Sequence, residues 1–238
     1  MRFFKRFMKQ QPAAPHCSVI VLAAGSSSRM GQDKIMLHVG DLPVVVHALR
    51  AFEAVLEVDE VVVVTREDLV PEIAGLCKVF NLQKVTKVVR GGDSRTESAR
   101  IGTLEVNPEA KLIAIHDAAR PFVSEEVIRA TIQRAAETGA AAPAIPVKDT
   151  IKVAHDGVVE YTPDRTTLFA VQTPQIFDAD LIRAALQKAM DDQAEITDDC
   201  SAVERLGMKI SLTAGDERNF KLTTPADIAV AELMLLEV

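Results

Sequence analysis

Two kinds of block alternate along this chain. Short apolar, β-branched runs recur at Ser18 to Leu22, Val61 to Thr65, Val85 to Arg90, Lys111 to His116 and Ala140 to Val147, and each predicts a strand. Between them, apolar residues fall at helical spacing. The first such run, VVVHALRAFEAVL, follows a start signal at Asp41 and Pro43, and Asp68 to Cys77 is the second. The third opens on a capping box, Ser94 with Glu97, and runs to about Val106; the fourth starts at Ser124, reads VIRATIQRAAET and stops at Gly139. Strands that are apolar on both faces and separated by helices need cover on both sides. The pattern therefore predicts an α/β fold, a doubly wound and mostly parallel sheet of Rossmann-like type.

Lys148 to Leu168 breaks the rhythm. TIKVA, then His155-Asp156-Gly157, then VVEYT reads as a β-hairpin with Asp-Gly at its turn. Ile151 and Val153 on one arm and Val159 and Tyr161 on the other are apolar. A lone hairpin is marginally stable in water, so this one predicts a protruding arm that needs a partner surface. Beyond it the pattern predicts a strand at Phe169 to Thr173 and a helix at Asp178 to Met190. A second helix, capped by Thr197, runs to Leu206 before Gly207, followed by a strand at Lys209 to Thr213 and a last helix from Thr224 and Pro225. Residues 17–238 read as a single domain with the arm at about 148–168. Residues 1–16, with Phe3, Phe4 and Phe7 among basic side chains, read as a flexible extension rather than a membrane-surface stretch.

Charge and composition narrow the function. At 238 residues, 48% hydrophobic, the chain can bury a full core. A net charge of −7 argues against extended binding to nucleic-acid phosphates and leaves room for a local cationic site. Three widely spaced cysteines fit neither a disulfide framework nor a zinc site. No apolar run approaches the roughly 18 residues of a membrane span, so the expected location is cytoplasmic.

The candidate chemistry clusters at strand ends. Ser18 to Lys34, SVIVLAAGSSSRMGQDK, is a strand running into a loop of small residues, with Arg29 and Lys34 beside it. Free backbone N–H groups plus two cations suit a polyphosphate. The loop matches neither G-x-x-x-x-G-K-[ST] nor G-x-G-x-x-G. Gly91-Gly92-Asp93-Ser94 ends a second strand, and there Asp93 and Ser98 can read a base edge. Asp117-Ala118-Ala119-Arg120 ends a third; its carboxylate and guanidinium either bind substrate hydroxyls or pair with each other. Arg165, Thr173, Thr197 and Lys221 lie at element boundaries in the last third. With Arg29 and Lys34 they can form two adjacent anion pockets, a pattern that fits transfer between phosphates.

Taken in order and spacing, LAAG with SRMG and DK, GGDSRTES, HDAARPF, DRTTLFAVQTPQIF, ITDDCSAVE and NFKLTTPADI resemble the 2-C-methyl-D-erythritol 4-phosphate cytidylyltransferase family of the non-mevalonate isoprenoid pathway. The match spans nearly everything from Ser18 onward. It implies a nucleotidyltransferase fold, transfer of CMP from CTP to methylerythritol phosphate, Mg²⁺ held mainly by the CTP phosphates, and a homodimer through the hairpin arm, with no nucleic-acid or membrane partner. By position it implies that Ala23, Ala24, Gly25, Gly92, Asp93 and Ser98 bind cytidine. Arg29 and Lys34 stabilise the transition state, Arg165 and Lys221 position the acceptor, and Asp117, Arg120, Thr150, Thr173 and Thr197 line its pocket. No metal ligand is assigned. Two other readings stand beside this one: a cytidylyltransferase for ribitol 5-phosphate or the molybdenum cofactor, and a non-catalytic nucleotide-binding module.

Overall fold

The β-branched run at the start of the described chain becomes the middle of the sheet. A computed structural model describes residues 15–25 and 33–236. The first strand, β1 (Cys17–Ala23), is followed by the short pair β2 (His38–Val39) and β3 (Leu42–Pro43), then α1 (Val44–Glu53), β4 (Val58–Thr65), α2 (Val70–Val79), β5 (Val85–Arg90), α3 (Arg95–Glu105), β6 (Leu112–Asp117), α4 (Glu125–Thr138) and β7 (Ala140–Pro146). A hairpin of β8 (Val153–His155) and β9 (Val158–Tyr161) interrupts. The chain resumes as β10 (Phe169–Val171), β11 (Gln175–Asp178), α5 (Ala179–Asp191), α6 (Asp199–Glu204), β12 (Ser211–Ala214) and α7 (Pro225–Leu236).

The main sheet runs β10-β7-β11-β6-β1-β4-β5, with β12 also on β7. β1 pairs in parallel with β4 on one side and β6 on the other, while β10 and β11 run antiparallel to their neighbours, so the sheet is mixed but mostly parallel as expected. Val19, Ile20 and Val21 are fully buried, because helices cover both faces. One core includes side chains of α1, α2 and α4, the other side chains of α3, α5 and α6. The predicted hairpin is present; Asp156 and Gly157 take positive φ at its tip, and Val158, Val159 and Tyr161 are exposed. No helix among the described residues is long and apolar enough to cross a membrane. The basic N-terminal stretch lies outside the described residues.

Several local expectations shift, each for a physical reason. β11 was not anticipated: it is short and follows β10 after only three residues. Both strands run along β7, where four residues (172–175) stand opposite two (142 and 143), so the chain bows outward between them. Asp41 lies in the β2–β3 turn, and α1 starts after Pro43 without a side-chain cap. At α6 the cap is Asp198, not Thr197, since the carboxylate accepts from the Ser201 N–H and the Ser201 side chain closes the box. At α3 half of the predicted box forms. Ser94 accepts from the Glu97 N–H, but the Glu97 carboxylate takes the N–H of Asp93 instead, tying down the glycine loop before the helix.

The sheet-facing side of α3 carries Gly102, and a Cβ there would stand 2.5 Å from Cγ2 of the fully buried Ile20. Glycine to alanine inside a helix normally stabilises by up to about 1 kcal/mol. Here overpacking, typically 1–3 kcal/mol, should prevail. Gly102→Ala is expected to lower the Tm by about 2–8 °C in a thermal melt; an unchanged or higher Tm would show that α3 lifts off β1 at little cost.

Candidate active site

The doubly wound order places a crevice at the carboxyl end of β1, where the connections leave in opposite directions, to β4 on one side and eventually to β6 on the other. Hydrogen bonds draw the loops at this end together. The Thr65 hydroxyl donates to the Ala23 carbonyl (3.1 Å), and the Gly91 N–H donates to the Thr65 carbonyl (2.7 Å). Gly91 is needed there, since a Cβ would stand 2.7 Å from the Ser98 hydroxyl and 3.2 Å from Ala24. Ser98 accepts from the Gly92 N–H at 3.2 Å.

The result is a cleft of about 300 Å³ lined by Ala23, Ala24, Gly25, Lys34, Gly92, Asp93, Ser98, Asp117 and Lys221, together with Leu22, Ile35, Ser94, Arg95 and Ala119. Nine of the residues singled out in the sequence therefore meet in one place. A wider recess, about 520 Å³, lies at the opposite ends of the strands, but Asp59, Glu60, Glu109 and Asp178 outnumber His16 and Lys111 on its walls. That charge balance repels a polyphosphate, whereas the smaller cleft sets three cations, Lys34, Arg95 and Lys221, against two carboxylates, Asp93 and Asp117.

Asp117, the last residue of β6, sits at the electrostatic centre of the cleft. Its Oδ2 accepts from Lys221 Nζ at 2.6 Å and its Oδ1 from Arg95 Nη2 at 3.2 Å. Burial pushes the carboxyl up, but the adjacent Arg95 and Lys221 outweigh it and hold Asp117 well below the usual carboxylate range. Arg95 also grips the fully buried Asp199, with Nη1 to Oδ1 at 3.0 Å and Nη2 to Oδ2 at 2.8 Å. Burial works against the guanidinium charge; Asp199 and Asp117 more than restore it, so Arg95 stays cationic.

Behind this cluster Thr173 is buried. Its hydroxyl accepts from the Asp117 N–H (3.1 Å) and contacts His116 Nδ1 (3.0 Å). The other ring nitrogen, Nε2, faces the Arg120 carbonyl at 3.1 Å and donates to it; in the neutral ring that burial favours, Nδ1 accepts from the Thr173 hydroxyl. Burial holds the His116 pKa down to about 4. Arg120 donates through Nη1 to the Asn219 carbonyl (2.6 Å), and Asn219 donates to the Thr173 carbonyl (2.9 Å). These bonds clamp the segment before α7 onto the loop after β6 and so bring Lys221 into the cleft.

The other singled-out residues are not in the cleft. Thr173 supports Asp117 from behind, and Arg120 does not line the cleft. Thr197 is at the start of the α6 box, its N–H donating to Ser201 Oγ. Thr150 and Arg165 are exposed at the two ends of the arm, Arg165 donating to the Lys148 carbonyl (2.9 Å). Arg29 lies outside the described residues. Sequence reasoning passed over Arg95 and Asp199. Arg95 did leave a signal: it occupies the first position of a helix, where the dipole disfavours a cation and an acidic partner is needed.

Comparison with known proteins gives a consistent picture. The family model described as 2-C-methyl-D-erythritol 4-phosphate cytidylyltransferase matches residues 17–237. A curated 2-C-methyl-D-erythritol 4-phosphate cytidylyltransferase from Caldanaerobacter subterraneus subsp. tengcongensis is 41% identical over 226 residues, covering 92% of this chain and 98% of the relative. The one from Symbiobacterium thermophilum is 43% identical over 223 residues, covering 92% and 93%. The crystal structure of 4-diphosphocytidyl-2C-methyl-D-erythritol synthase from Anaerococcus prevotii superposes with a TM-score of 0.84 at 31% identity, covering 94% of this chain and 97% of that one.

The buried neutral His116 makes a stability prediction. Its folded pKa, about 4, lies below the ordinary 6.5, so between these values the unfolded chain binds the extra proton and folding weakens as pH falls. The loss attributable to this group is up to about 3 kcal/mol. The depressed Asp117 carboxyl acts in a separate window, below about pH 4. Urea unfolding of wild type and His116→Gln from pH 7 to 4.5 should show a flatter stability slope in the variant; parallel slopes would mean that His116 is not buried in its neutral form.

Proposed function

Because the chain belongs to the 2-C-methyl-D-erythritol 4-phosphate cytidylyltransferase family, we propose that its cleft transfers CMP from CTP to 2-C-methyl-D-erythritol 4-phosphate. The observation that carries this reading is the convergence of a small-residue strand end, a glycine loop, Lys34 and Lys221 on one cleft. An oxygen of the acceptor phosphate attacks the α-phosphorus of CTP. The new P–O bond forms as the α–β bridging bond breaks, and pyrophosphate leaves. No protein nucleophile is required; positioning and preorganised charge supply the catalysis.

Ala23, Ala24, Gly25, Gly92, Asp93 and Ser98 form the cytidine side. The N–H groups of Gly92 and Asp93 are taken by Ser98 and Glu97, so the loop offers acceptors, including the Asp93 carboxylate, to the base. That polarity suits the exocyclic amine of cytosine and faces oxygen against oxygen with uracil. Lys34, with Arg29, is assigned to the charge that develops on the phosphates. Lys221 is assigned to the acceptor phosphate, with Asp117 holding its ammonium in place until the substrate arrives. Arg120, Thr173 and Thr197 act at the acceptor side by shaping the walls around Asp117 and α6.

A caged divalent cation does not fit the described residues. Among them no three His, Cys, Asp or Glu side chains are grouped to hold a metal, and both Asp117 oxygens are engaged. Mg²⁺ is therefore assigned to the CTP phosphates, whose oxygens supply its ligands and whose charge it offsets.

Incubation with CTP, Mg²⁺ and methylerythritol phosphate should release pyrophosphate, and ribitol 5-phosphate should not replace the acceptor. Release only with ribitol 5-phosphate would establish the alternative acceptor, and no release with any acceptor the binding module. Lys34→Ala should lower kcat by at least about 100-fold while CTP affinity falls far less, the mark of a group that acts in the transition state. Equal losses would make Lys34 a plain phosphate anchor.

The arm supports a dimer. Exposed Val158, Val159 and Tyr161 need cover, and two copies related by a two-fold axis can cover each other. Arg165 and Thr150, outside their own cleft, would then serve the partner's. Mixing inactive Lys34→Ala with inactive Arg165→Ala under subunit exchange should restore activity, because each mixed dimer holds one site free of both lesions. No recovery in verified mixed dimers would place Arg165 in its own subunit's site.

A further inference from the structure

Asp117 carries one negative charge and faces two cations, yet its shorter bond goes to the lysine: 2.6 Å to Lys221 Nζ against 3.2 Å to Arg95 Nη2. That ranking is unexpected. A guanidinium is a planar fork that binds a carboxylate through two parallel N–H groups, and Arg95, already within reach of Asp117 Oδ1, would by itself take both oxygens in this way. It does not, because its fork is already engaged. Nη1 and Nη2 meet the two oxygens of Asp199 at 3.0 and 2.8 Å, leaving one longer contact for Asp117.

Asp199 is itself firmly held. It is fully buried at the first residue of α6, between two anchored neighbours. Asp198 accepts from Gln175 Nε2 at 2.7 Å and from the Ser201 N–H at 2.9 Å, and the Cys200 N–H donates to Gln175 Oε1 at 3.0 Å. β11 thus fixes the helix start, and the helix start fixes the carboxylate.

We propose that Asp199 is a positioning residue: by occupying the fork of Arg95 it leaves an oxygen of Asp117 free to hold Lys221 in the cleft. Without the Asp199 charge, Arg95 turns its fork onto Asp117 and displaces the lysine. The proposal deepens the assignment of Lys221 to the acceptor phosphate and rests on it for its catalytic consequence. The rearrangement itself does not depend on that assignment.

The test uses the full chain with Asp199→Asn and with the double variant Arg95→Gln/Asp199→Asn. The first readout, without substrates, is the rate of Lys221 acetylation by acetic anhydride, followed by mass spectrometry. Asp199→Asn should speed it by at least about 3-fold, and the double variant, which removes the competing fork, should return it close to wild type, a rescue that additive damage would not produce. The second readout is kinetic. Asp199→Asn should raise the KM for methylerythritol phosphate by about 5-fold or more with the KM for CTP within about 2-fold, and the double variant should recover part of the loss.

Unchanged acetylation in Asp199→Asn, or a double variant as fast as the single, overturns the proposal. The expected acetylation pattern with an unchanged acceptor KM would uphold the role of Asp199 toward Lys221 and move Lys221 out of the acceptor site. Should Asp199→Asn alone show no cooperative melt, the double variant replaces it, since it pairs amide with amide. Wild-type acetylation of Lys221 there supports the proposal, and faster acetylation overturns it.

Discussion

The sharing of one carboxylate between two cations is the interaction on which the cleft depends. Asp117 ends β6, Arg95 begins α3 and Lys221 precedes α7, so a single side chain joins three regions of the chain. An ionised carboxylate taken out of water costs several kcal/mol unless it is paired and hydrogen-bonded. Asp117 meets that condition through Arg95, Lys221 and the Thr173 hydroxyl on its own N–H. With Asp199 the group contains two anions and two cations. Arg95 and Lys221 are thereby held in place within the cleft, as electrostatic preorganisation requires.

The position of this group follows from the topology. β1 sits between β4 and β6, and the connections to them diverge at their carboxyl ends. Thr65 joins the loop after β1 to the loop after β5. The Ala118 N–H donates to the Leu22 carbonyl, and the Leu222 N–H to the Ala119 carbonyl, so the last third of the chain is pinned to the same place. The arm stands apart from this scheme. Its apolar side chains are exposed, and Arg165 and Thr150 lie on it outside the cleft.

Much of this was legible in the sequence. The main-sheet strands and the helices of the first 146 residues follow largely from local periodicity and caps, because a fully buried parallel strand must be apolar throughout and a helix often carries its own start and stop signals, as at Ser124 and Gly139. Most of the nine cleft residues were legible because sheet order brings strand ends together; Lys221 reaches the cleft through the Arg120–Asn219–Thr173 clamp. The misses are short: the β2–β3 pair around Asp41, the half-formed box at α3, β11, which is flanked by β7 and β6, and the cap at α6, where Asp198 also meets Gln175.

What the sequence determined by itself was the alternation of elements, the doubly wound class, the hairpin and the motifs that mark the family, all of which depend on residues within about one element of each other. Tertiary structure alone decided who pairs with whom. Arg95 and Asp199 are 104 positions apart, as are Asp117 and Lys221. Nothing in the local pattern distinguishes Asp199 from a solvated helix-start carboxylate, and the one local mark on Arg95, a cation at a helix start, does not name its partner. Only the fold, which buries Asp199 and sets the part-buried Arg95 and Lys221 beside Asp117, turns these four side chains into one group.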